Sequence, residues 1–156
     1  MQKNTFDAKA FMRTLTIVHM ALVGGLITFM LFAYFQTGGF VASMDQNDTF
    51  IYIVPIVAAT GYFGSQFMFK KQLQLVKRED VLQTKLGKYF TASLIKFAFI
   101  EGAAFLALFA YFSTQNALHF TIAICLIAYL IVQRPTLPKL DQHLPLNMDE
   151  KKNLNI

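Results

Sequence analysis

Four stretches of this chain are almost continuously apolar, at 14–35, 50–69, 89–112 and 118–132, and polar or charged segments separate them. About 20 predominantly apolar residues are needed to carry a helix across a bilayer's hydrocarbon core. The first three runs reach that length, and the fourth is short, with His119 and Gln133 at its ends. The pattern predicts an all-α, polytopic membrane protein: one domain of four transmembrane helices over 14–132, arranged as two antiparallel hairpins.

The connecting segments carry their own signals. Residues 1–13 form a polar tail, and the apolar run behind it is too long for the 7–15-residue core of a signal peptide, so it reads as a retained first helix. Gly38-Gly39 break that helix, and the loop that follows contains Asp45 and Asp48 but no Lys or Arg. Asp48 or Thr49 is placed to cap the second helix, which takes Pro55 within its first two turns. Segment 70–88 is the most basic of the chain. Within it, Asp80-x-x-Gln83 resembles a capping box with Asp in place of Ser or Thr, which would start the third helix near Val81, outside the bilayer. The other reading is a simple interfacial connector. A short link over 113–116 joins the third and fourth helices as a tight hairpin. Pro135 stops the fourth, and tail 133–156, with Pro138 and Pro145, is expected to be extended, and partly ordered if it packs on a partner.

Composition supports the membrane reading. The chain is 55% hydrophobic and 15% charged, against about 45–50% and about 25% in soluble domains. Its net charge of +5 does not mark a nucleic-acid surface, because the cations flank the apolar runs. Of 14 Lys and Arg, three lie in the N-terminal tail, six at Lys70, Lys71, Lys77, Arg78, Lys85 and Lys88, and four beyond residue 132; the last is Lys96. The loops after the first and third helices hold none. By the positive-inside rule both termini and the 70–88 loop are cytoplasmic, as expected for a protein of the bacterial inner membrane. The lone Cys125 cannot form an intrachain disulfide and reads as a small buried hydrophobe.

Leu31-Phe-Ala-Tyr-Phe35 recurs as Leu108-Phe-Ala-Tyr-Phe112, 77 residues on. The same offset aligns Gly24-Gly25 with Glu101-Gly102 and His19 with Lys96. A duplicated hairpin, repeated in parallel, would produce this; chance recurrence among common residues is the other reading.

Glu101 is the candidate for chemistry. A carboxylate at the centre of a membrane helix costs roughly 2.5–3.5 kcal/mol on insertion scales. Either it binds a proton or cation, or it makes a hydrogen bond across a helix interface to a neighbour or a partner. His19, Gln66, Lys96 and Thr60 are its candidate neighbours. Lys96 precedes it by five residues, about 140° around the helix, so it is expected to snorkel to the headgroups rather than pair with Glu101. His19 reads as a packed, hydrogen-bonded residue. Gly24, Gly25, Gly61, Gly64 and Gly102 are expected to pack helices closely. The six cations of 70–88 form a candidate surface for anionic lipid or an acidic partner. No spacing of His, Cys or acids suggests a metal, haem or other cofactor, and no nucleophile–base arrangement suggests an enzyme.

Segment 77–111 resembles the second half of a rotary-ATPase proteolipid, subunit c or its duplicated form, subunit K. The residues that carry the likeness are Arg78 in the basic loop and Ile100-Glu101-Gly102 followed by Ala103-Ala104-Phe105-Leu106-Ala107-Leu108-Phe109. The loop reads Lys77-Arg-Glu-Asp80 where that family has Arg-Gln-Pro, and the preceding helix lacks the family's repeated glycines. The resemblance implies an ion-binding carboxylate at Glu101 in a ring of copies.

Three functions are therefore expected, in this order. The first is a non-catalytic accessory or assembly subunit of a larger membrane complex, with membrane lipid and membrane-protein partners or copies of itself. The second is a proteolipid-like proton or cation carrier. The third is a four-helix protein binding lipid or a small ligand near Gly24, Gly61 and Glu101.

Overall fold

A computed structural model describes residues 8–42 and 48–154. Lys3 and Asp45 lie outside them. Among the described residues there are six helices and no strand: α1 (Ala8–Thr37), α2 (Phe50–Leu73), α3 (Leu82–Thr114), α4 (Ala117–Val132), α5 (Leu137–His143) and α6 (Met148–Leu154). Helices α1, α2 and α3 are each long and apolar enough to cross a membrane, and α4 with α5 forms a fourth candidate bent by 84°.

α3 is the axis of the fold. Its 33 residues make it about 50 Å long, so it extends well past a hydrocarbon core of about 30 Å. Leu86, Tyr89, Ser93, Lys96, Ile100, Ala103, Ala107 and Tyr111 recur at helical spacing as its buried stripe. α3 packs on α1, α2 and α4, whereas α1 and α2 lie on different flanks of it and scarcely touch. The expected first hairpin is therefore connected in sequence but is not a packed pair, and the α1–α2 arrangement does not repeat that of α3–α4.

The recurrent pentapeptide has a packing counterpart. α1 runs parallel to α3, with ring pairs Phe11–Phe90, His19–Phe97, Phe29–Phe105 and Phe32–Phe112 at 4.7–5.9 Å between centroids. The partners are 76 to 80 positions apart, bracketing the 77-residue offset of the repeat. The two copies thus lie side by side, with Ala33 and Ala110 both wholly buried.

Helix boundaries differ from expectation where packing continues beyond the apolar run. α1 is already helical at Ala8, because Met12 and Leu15 extend its buried stripe. It ends at Gly38, whose φ of 69° is a left-handed conformation that glycine adopts without strain, with its N–H donating to Tyr34 O. α3 starts at Leu82 with Val81 as N-cap and no side-chain cap. The expected capping box does not form, because the Asp80 carboxylate instead accepts from Lys88 Nζ and the Lys77 N–H. Asp48 does serve α2, accepting from the Phe50 N–H at 2.9 Å.

At the other end of α3, Gln115 is left-handed (φ 58°) and Asn116 caps α4 through the Leu118 N–H, which turns the chain in two residues. Val41 closes this corner, donating to Gln115 O and accepting from the Ala117 N–H. Asp48 also holds wholly buried His119 at 3.1 Å, and Tyr111 Oη donates to Gly39 O.

The C-terminal tail is neither extended nor dependent on a partner for order. After Pro135 it folds back on its own bundle as α5 and α6, burying Leu140, Leu144 and Leu154. The local reason is legible: Asn147 and Glu150 cap α6 reciprocally, each side chain accepting from the other's backbone N–H at 2.8 Å.

Candidate functional site

Glu101 follows Ile100 of the buried stripe by one residue, about 100° around α3, and is half-buried. Its neighbours one turn away on the same face are Phe97 and Phe105, whose rings meet His19 and Phe29 of α1. The carboxylate therefore lies on the α1-facing flank of α3. It makes no hydrogen bond or ion pair among the described residues.

The expected neighbours do not converge on it. Thr60 is exposed on α2, its hydroxyl donating to Ile56 O within its own helix. It shares a shallow apolar groove with Gly61, Ala98 and Gly102, between α2 and α3. His19 Nε2 donates to Leu130 O at 2.8 Å, and its other nitrogen is buried with no partner among the described residues. Gln66 donates to Tyr129 Oη, joining α2 to α4.

Lys96 does not snorkel. It is 9% exposed, its ammonium donates to Gln133 Oε1 at 2.6 Å, and it lies 4.7 Å from the centroid of the Phe69 ring. These contacts place it in a cavity of about 270 Å³ at the end of the bundle where α5 folds over α2 and α3. The walls include Tyr89 and Ser93 from α3, Gln133 from the end of α4, and Lys139, Gln142 and His143 from α5. Sequence reasoning found Lys96 and Gln66 but not the α5 wall. The signal available was Pro135-Thr-Leu-Pro138, a helix stop followed at once by a proline suited to the first turn of the next helix.

The glycines divide. A methyl group on Gly61 would come within 2.7 Å of Ala103 Cβ, and one on Gly64 within 3.2 Å of the Phe99 ring, so these two set the close approach of α2 to α3. Gly24, Gly25 and Gly102 would meet nothing within 4 Å, so they do not pack helices in this chain. Nor do Gly24, Gly61 and Glu101 share a pocket, since α1 and α2 flank α3 on different faces. Cys125 is exposed on α4, not buried.

Of the six cations proposed as a surface, Lys70, Lys71, Lys77 and Arg78 are exposed. Lys88 is half-buried and tied to Leu75 O at 2.6 Å and Asp80 at 2.7 Å. Lys85 is wholly buried: its ammonium donates to both Glu150 oxygens and to Pro145 O at 2.9–3.0 Å. It anchors the tail and is not a lipid or partner contact. Among the described residues no three His, Cys, Asp or Glu side chains gather as a metal site would require.

Comparison of the chain with protein families, with curated proteins and with solved structures yields no match.

Proposed function

We propose that this chain is a non-catalytic accessory or assembly subunit of a larger membrane complex. The observation that carries the reading is the half-buried Glu101 carboxyl, without a partner on the α1-facing flank of α3. A carboxyl at membrane depth is costly unless something hydrogen-bonds it. Within this chain nothing among the described residues does so, and a partner helix or a second copy would supply the bond. Gly24 and Gly25 on α1 and Gly102 on α3 likewise leave space that no described side chain fills.

In the membrane the chain has four spans, α1 to α4, with α5 turned along the cytoplasmic surface. Both termini and the 74–81 loop lie on the cytoplasmic side, the bacterial inner membrane being the location that the charge bias favours. The cations of the loop, the α4–α5 corner and α6 support this orientation, as does the pairing of Lys85 with Glu150 at the same end.

The same unpartnered carboxyl favours a second reading, a proteolipid-like ring in which Glu101 binds a proton or cation at the contact between copies. Native mass spectrometry of the protein, extracted gently from its own membrane, separates the two. A defined mass with other subunits supports the accessory reading. A ring of identical copies replaces it with the proteolipid reading, and a stable monomer overturns both.

A further inference from the structure

The cavity beside Lys96 holds cations without an anion. No carboxylate lines it among the described residues, whereas the ammonium groups of Lys96 and Lys139 do. A buried ammonium is costly unless an anion pairs with it. Lys96 has instead an amide oxygen, from Gln133, and an aromatic face, from Phe69, neither of which carries a net charge. The packed carboxylates of this end are committed elsewhere: Glu150 to Lys85, Asp141 to Lys151 and Asp80 to Lys88. Among the described residues, then, no carboxylate of the cavity wall serves Lys96 as a counter-ion.

We infer that this cavity binds an anionic phosphate group, paired with Lys96 and Lys139. An ammonium has three donors. Lys96 directs one to Gln133, and Lys139 directs two to Val132 O and Arg134 O at the end of α4, so each has capacity left for the ligand. Gln142, exposed on α5, stands at the mouth. The volume of about 270 Å³ is below the range of about 300–1,000 Å³ typical of drug-sized ligands, so it suits one charged group rather than a nucleotide. The cavity lies at the basic end of the bundle, which the proposed orientation puts at the level of lipid headgroups. The phosphate could thus belong to an anionic lipid or be free in solution. The inference is independent of what Glu101 does.

The test uses the full-length protein. Phosphatidylglycerol and phosphatidylcholine compete for it in mixed micelles, with adducts read by native mass spectrometry; inorganic phosphate is added separately, with thermal unfolding as readout. The variants are Lys96→Met, Gln142→Glu, which puts a repelling charge on an exposed position that folding tolerates, and Lys70→Gln/Lys71→Gln as a surface control. For a lipid ligand, the wild type retains phosphatidylglycerol about tenfold over phosphatidylcholine, as one charge-assisted hydrogen bond would give. Both cavity variants then lose that preference and the surface control keeps it. For a free anion, phosphate raises the unfolding temperature of the wild type but not of Gln142→Glu, and neither lipid is preferred. The inference is overturned if neither effect occurs, or if either persists unchanged in Gln142→Glu.

Discussion

Lys85 lies wholly buried against Glu150, with both carboxylate oxygens within 3.0 Å of its ammonium. The pair joins the first turn of α3 to α6, 65 residues later, and Pro145 O takes a further hydrogen bond. Glu150 in turn receives the Asn147 N–H and so holds the start of α6. One ion pair therefore fixes the fold-back of the tail, and with it the roof that α5 places over the Lys96 cavity.

Removing one partner strands a buried charge. Lys85→Met or Glu150→Leu alone should destabilise the docked tail by about 3–5 kcal/mol, and the double variant should recover much of the loss, since an apolar pair of similar volume often replaces a buried ion pair. Limited proteolysis would show this as rapid cleavage after residue 133 in each single variant and protection in the double. Equal protection in all three would refute the anchoring role.

Gly61→Ala should loosen α2 from α3, because the added methyl would meet Ala103 Cβ at 2.7 Å and Phe99 O at 3.0 Å. Overpacking of this kind costs about 1–3 kcal/mol. Gly24→Ala, Gly25→Ala and Gly102→Ala should leave the monomer's unfolding temperature unchanged, as open space receives their methyl groups. Thermal unfolding in one detergent compares all four.

Glu101→Leu should leave the monomer folded, within about 0.5 kcal/mol of the wild type, since no described residue of the chain depends on the carboxylate. The same change should weaken association, and native mass spectra would register the lost partner or copies. In the proteolipid reading Glu101→Gln keeps the ring but abolishes reaction with a carbodiimide. A wild type that never reacts would sink that reading.

The loop between α2 and α3 should loosen in acid. The hydrogen bond from Lys88 Nζ, and then that from the Lys77 N–H, holds the Asp80 carboxyl below its ordinary range. A carboxyl depressed in the folded state stabilises above its unfolded value of about 3.9 and loses that contribution as pH falls through the folded value. Amide exchange over 74–81 should therefore be faster in Asp80→Asn than in the wild type at neutral pH. The difference should close in strong acid; a constant gap would contradict the assignment.

The helical class, the existence and approximate limits of the apolar helices, and the concentration of cations at one end were legible in the sequence. These are properties of contiguous residues: apolar length decides what can cross a bilayer, and loop charge is counted segment by segment. Asp48 as a cap and Gly61 and Gly64 as close-packing positions were legible for the same local reason. Tertiary structure decided what depends on partners distant in the chain. Lys85 looked like one cation among six until Glu150 met it, and Lys96 looked free to reach the surface until Gln133 and α5 closed over it. Gly24 and Gly25 looked like packing residues, but α1 turns Val23 and Leu26 inward and leaves the glycines out. The physical reason is that helical periodicity specifies which residues share a face, whereas the neighbour a face receives is set by how all the helices bury their surfaces together.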